Sequence, residues 1–166
     1  MALCDSINKS NPTNYRLIFP LLPTEITLAS TKPLTLNIFS SVIPSLTLDG
    51  TEESWQGTKR KMANGPISFG DWNVNFVVDS NFLNWQIIFN WMNYINNNYN
   101  KHMEEHKNYS VDASLDIMDN FRNSILAVNF ISIWPTSLGE VTLSQRDGET
   151  LIECTANFSY DYFKII

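Results

Sequence analysis

Both histidines of this chain fall within one pentapeptide, His102-Met103-Glu104-Glu105-His106, and on a helix they would stand one turn apart on a single face. This is the H-x-x-E-H arrangement of one class of zinc peptidases, with two imidazoles to hold the metal and Glu105 placed as the base. The setting argues for something plainer. The pentapeptide sits in NNNYNKHMEEHKN, a polar run without the apolar stripe that would bury and rigidify a catalytic helix. A solvated loop or short surface helix, at most a weak adventitious metal site, is therefore expected. The two cysteines are far apart. Cys4 lies in a polar start, while Cys154 in LIECTANFSY shares a strand face with Ile152, Ala156, Phe158 and Tyr160 and reads as a small buried hydrophobe. Carboxylate pairs such as Glu52-Glu53 and Glu104-Glu105 lie in polar stretches with no sign of the burial that raises a pKa. There is no G-x-S-x-G elbow, no G-x-x-x-x-G-K and no G-x-G-x-x-G, and six glycines leave little material for a phosphate loop. The expectation is a protein that is not an enzyme and uses no cofactor and no metal.

Charge narrows the partners. Eleven basic against seventeen acidic residues give a net charge of −6, which opposes binding of nucleic acid through a broad basic surface. No run approaches the ~18 apolar residues of a membrane helix, and MALCDSINKSNPTN has neither the charged start nor the apolar stretch of a secretory signal. With 43% hydrophobic and 13% aromatic residues, 166 residues can bury one sizeable core, so a single domain over 1–166 is expected.

The elements that would carry these residues are mostly strands. From Phe69 to Met92 the hydrophobic period changes from two to about 3.6 near Asp79-Ser80. In the first half Trp72, Val74, Phe76 and Val78 share one face, with Asn73 and Asn75 on the other; in the second, Phe82, Trp85, Phe89 and Met92 recur at helical spacing behind an Asp79 or Ser80 cap. Phe89 and Trp91 lie about 200° apart on such a helix, which leaves Trp91 as the residue pointing away from the core. Further strands are expected over 15–22, 34–41, 43–48, 111–118, 125–134, 140–145 and 151–163, with a hairpin turn at Asp147-Gly148. Pro135 is expected to end its strand, leaving Trp134 to cover a sheet end. Residues 49–66 form a polar excursion carrying Trp55, Lys59, Arg60, Lys61 and Met62.

Five blocks in order carry a resemblance. Val42-Ile43-Pro44, then Asp71-Trp72-Asn73-Val74, the aromatic helix from Phe82 to Trp91, the block Trp134-Pro135-Thr136-Ser137-Leu138-Gly139-Glu140, and finally Phe158-Ser159-Tyr160-Asp161-Tyr162 make the chain similar to the tail tube proteins of contractile-tailed bacteriophages. The match runs over about Tyr15 to Phe163, and 96–111 takes no part in it. The resemblance implies two packed antiparallel sheets, a sandwich or barrel, flanked by one main helix. It further implies stacked hexameric rings that form the conduit for DNA inside a contractile sheath. A tube-like baseplate or initiator protein forming a single ring is the alternative within that family, and a zinc peptidase using His102, Glu105 and His106 the alternative outside it. The implied partners are other copies of the chain, a tail sheath protein, baseplate and tail terminator proteins, and genomic DNA passing without specific binding, with no membrane. The implied location is the virion tail, after assembly in the host cytoplasm.

Within that frame the excursion at 49–66 becomes a protruding loop reaching a neighbouring subunit. Trp55, Lys59, Arg60, Lys61 and Met62, with Trp91, are then the expected interface residues, since Trp and Arg dominate association energy when buried centrally. Solvated loop chemistry is the alternative. Asn73, Asn75, Glu153, Thr155, Asn157 and Ser159 offer polar strand faces without a cation, which suits a channel wall that DNA must slide past. Outer solvent or the sheath would suit those faces equally.

Overall fold

The computed structural model describes residues 13–19, 22, 37–98, 109–144 and 151–166. The alternation read in the sequence becomes strand β5, Trp72–Val77, whose Trp72, Val74 and Phe76 are buried while Asn73 is exposed. Around it lie β1 (Tyr15–Ile18), β2 (Ile38–Ser41), β3 (Leu46–Trp55), β4 (Thr58–Phe69), helix α1 (Leu83–Asn97), β6 (Val111–Met118), β7 (Ser124–Leu138), β8 (Glu153–Ser159) and β9 (Tyr162–Ile165).

Strand β7 organises the molecule. Its first half pairs antiparallel with β6 on one side and β9 on the other; β1 extends that sheet beyond β6. Its second half pairs with β8, and the order continues through β5 to β2, making a second antiparallel sheet. Ser132, at φ 56°, lies where β7 passes from one sheet to the other. The two sheets close on a shared core in which Trp72 of the second stacks on Phe130 of the first, ring centroids 4.3 Å apart. Fully buried aromatic side chains of this kind contribute a few kcal/mol each.

Helix α1 covers this core, but with a face different from the one its aromatics foretell. The buried positions are Asn84, Ile87, Ile88 and Trp91, whereas Phe89 is exposed and Phe82, Trp85 and Met92 are half-buried. Asn84 explains the rotation. Its Nδ2 donates to Val77 O at 2.6 Å, and its Oδ1 accepts from Asp79 N and Trp85 N. This buried amide ties the end of β5 to the start of the helix and fixes which way the helix faces. The expected side-chain cap is absent: Phe82 occupies the N-cap position in a left-handed conformation, and Asp79 Oδ1 accepts from Ser80 N instead.

Three strand expectations are corrected. Pro135 does not end its strand; β7 runs on to Leu138, with a register shift between Pro135 and Ser137 that spares a ladder donor. Residues 139–144 are not a strand. The expected strand over 151–163 is two, because at Tyr160-Asp161 the chain leaves β8 and enters β9, Asp161 N donating to Ile131 O. The Asp147-Gly148 turn lies outside the described residues.

Candidate assembly surfaces

The polar excursion at 49–66 is a long two-stranded hairpin. Strands β3 and β4 pair only with each other among the described residues, from Leu46↔Phe69 out to Trp55↔Thr58. Gln56 and Gly57 at the tip both have positive φ, as a primed two-residue turn requires. Phe69 roots the hairpin by edge contacts to the rings of Tyr160 and Phe163. Beyond that root nearly every residue is exposed.

Trp55 is 58% exposed at the tip, with the Arg60 guanidinium 5.6 Å from its ring centroid and Arg60 Nη2 3.5 Å from Met62 Sδ. Lys59 Nζ lies 3.4 Å from Glu52 Oε2, and the ladder sets Lys61 opposite Glu52 and Arg60 opposite Glu53. The basic cluster is thus matched by acidic residues of its own hairpin. Nearer the base, Leu46, Leu48 and Ile67 are also exposed and form an apolar strip that sequence reading missed. It is invisible there because Leu48 meets Ile67 only through the ladder register.

Of the expected interface residues, the hairpin brings Trp55, Lys59, Arg60, Lys61 and Met62 together on an exposed arm. Trp91 is corrected. It is fully buried, its ring near Phe158 and its Nε1 donating to Tyr109 O at 2.7 Å, so no neighbour can reach it. The 200° separation holds, but it is Phe89 that faces out.

The polar strand faces also converge. Asn73 lies opposite Asn157, Asn75 opposite Thr155, and Val77 opposite Glu153, all on the side of the second sheet away from the core. Thr155 Oγ1 donates to Asn75 Oδ1 at 2.7 Å, and Asn157 Nδ2 donates to Ser137 Oγ at 2.8 Å. Ser40, paired with Asn75, and Ser137 extend this surface across all four strands. Ser159 continues the row opposite Trp134, which is half-buried with its ring edge-on to that of Tyr109 and lies within β7 rather than at a strand end.

Cys154 is buried, burial raises its thiol pKa, and its Sγ donates to Gly139 O and Thr155 O. That is the environment of an inert thiol. His102, Glu105, His106 and Cys4 lie outside the described residues. Among the described residues no group of three or more His, Cys, Asp or Glu side chains is placed to hold a metal ion, and no helix is long and apolar enough to cross a membrane.

Two joined antiparallel sheets, one covering helix and a free-standing hairpin define a tail-tube-type fold. The sequence profile of the phage tail tube protein family matches residues 11–166, and the chain belongs to that family. It is 27% identical over 169 residues to the tail tube terminator protein of Enterobacteria phage T4, covering 99% of this chain and 93% of that protein. In structure it resembles the sheath/tube terminator of the PVC extracellular contractile injection system, with a TM-score of 0.67, 13% identity, and coverage of 95% of this chain and 96% of that one. It also resembles a chain of the PVC sheath-tube complex, with a TM-score of 0.66, 12% identity, and coverage of 95% and 91%. The role is a structural one in a phage tail.

Proposed function

We propose that this chain forms the ring that ends a tail tube, a terminator through which DNA passes. The observation that carries this reading is the end-to-end kinship with the T4 tail tube terminator. The fold alone does not choose between stations along the tail, since the tube-complex and terminator chains resemble this one almost equally.

Physical chemistry supports a ring. An isolated two-stranded hairpin is marginal in water, yet this one projects Trp55, Leu46, Leu48 and Ile67 into solvent. A neighbouring copy or the last tube ring would cover it. Outer strands β1, β2 and β9 have one partner each among the described residues, and closure by rotation would pair or cover such edges. Sixfold symmetry, contact with the sheath or its own terminator, and assembly in the host cytoplasm belong to the same proposal. A main-tube subunit forming stacked hexameric rings is the second reading, favoured by the resemblance to the sheath-tube complex chain.

Electron microscopy separates them. The purified chain at high concentration should give isolated rings and, added to growing tubes of the cognate tube protein, should arrest their elongation. Long tubes formed by this chain alone would overturn the terminator reading in favour of the main tube.

A further inference from the structure

The turn joining β6 to β7 carries the most exposed aromatic side chain of the described residues, Phe121, at 82% exposure. It is held firmly. Asp119 Oδ1 accepts from Phe121 N and Asn123 N, both at 2.8 Å, while Asn123 Nδ2 donates to Asp119 Oδ2. Asn14, just before β1, donates to Asp119 O and Asn120 Oδ1, bracing the turn from another strand. The Asn123 amide, with the Asn123 side chain and Phe121 N, holds the Asp119 carboxyl below its ordinary value. Arg122 follows at φ 64°. A rigid loop presenting Phe-Arg to solvent has already met the ordering cost that usually weakens association.

On the outer face of the first sheet, at the far end of β6, lies a cleft of about 210 Å3 lined by Ile18, Asp112, Ala113, Ser114, Asn129 and Ile131. It is wide enough for a phenyl ring, since cavities of about 150 Å3 take up benzene. The register of β6 on β7 shifts at Asp112, between Val111 and Ala113, and the Asp112 carboxylate sits at the cleft, accepting from Ser132 N. Asp112 and the end of β6 at Met118 are six residues apart, roughly 20 Å along a strand.

We propose that Phe121 of one copy seats in this cleft of the next, with Arg122 set against Asp112. The occupant is a second copy because knob and hole match in both apolar character and charge, and both lie on the same chain. Because knob and hole lie at opposite ends of β6, one copy can engage a neighbour on each side, the head-to-tail arrangement of a closed ring. This rests on the ring-forming reading above and adds the contact that sets its direction.

The test uses the full chain with Cys4→Ser, leaving Cys154 buried, and compares Phe121→Cys, Ile131→Cys and the double variant after a short bismaleimide. The double variant should give a covalent ladder ending at the closed ring, and each single variant none. In parallel, Phe121→Asp should need roughly 30-fold more protein than the parent to assemble. Phe121→Leu should assemble nearly as the parent does. A ladder that stops at dimers would mean a two-fold contact and overturn the proposal. Assembly of Phe121→Asp at the parent's concentration, without cross-links in the double variant, would overturn it while leaving the ring intact. A parent chain that stays monomeric would sink both readings.

Discussion

Tyr160 shows how one side chain serves packing and pairing together. Its ring touches Phe69, Phe130 and Phe163, and its hydroxyl donates to Gly70 O at 2.7 Å. Burial, with a smaller push from the Asp71 charge, raises it from its ordinary 10.0 to about 12. Because the folded state favours the neutral phenol, the contribution of Tyr160 to stability is complete below about pH 10 and is lost as pH rises toward 12. Denaturant midpoints measured between pH 8 and pH 12 should fall above about pH 10 in the parent, and less steeply in Tyr160→Phe. That variant should lose about 1 kcal/mol at neutral pH, because it leaves Gly70 O without its donor. An equally steep alkaline fall in both would assign the effect to other groups. The inward set Cys154, Ala156, Phe158 and Tyr160 was legible in the sequence because one strand face meets only core. The phase of α1 was not. Both sides of the helix carry large apolar residues, and the residue that decides between them, Asn84, is polar. Periodicity gives the repeat of a pattern; the buried amide gives its origin.

At the scale of elements the hairpin is the clearest case of composition concealing structure. Charges and Gly, Asn and Pro residues make 49–66 read as a loop, and the pairing of Glu52 with Lys61 and Glu53 with Arg60 emerges only once Gln56-Gly57 sets the turn. Gly65 shows how tightly that pairing is drawn, since a Cβ there would lie 2.6 Å from the Asp49 carbonyl oxygen. The hairpin's function is tested by Trp55→Ala with Lys59→Glu and Arg60→Glu. Circular dichroism of the monomer should be unchanged, because none of the three reaches the core, and assembly should weaken by an order of magnitude or more. Unimpaired assembly would make the hairpin a solvated arm. β7 was half legible: its alternation was visible to Trp134, but a register shift that accommodates Pro135 leaves no sequence trace distinct from a strand end.

For the whole molecule, the polar face of the second sheet was better foreseen than its boundaries. Asn73, Asn75, Thr155 and Asn157 were chosen from separate strands and come to lie side by side, whereas Ser40 and Ser137 required the sheet order to find them. Glu153 and Asn73 are exposed, while Asn157 is half-buried and bonded to Ser137, so charge is best introduced at the first two. Glu153→Lys with Asn73→Lys should leave rings intact but slow genome ejection from reconstituted particles, with the defect relieved by raised salt as phosphate contacts weaken. Normal ejection at low salt would mean that this face does not line a channel. The sheet order also sets how far apart in the chain the partners of the first sheet lie. The paired strands β6 and β7 are flanked by β1 and β9, elements separated in sequence by all that lies between Ile18 and Tyr162. A nascent chain still on the ribosome therefore lacks an outer strand of its first sheet until residue 165 has emerged. Pairings of such long sequence separation form slowly. A chain interrupted before Tyr162 therefore leaves one side of the first half of β7 without its β9 partner.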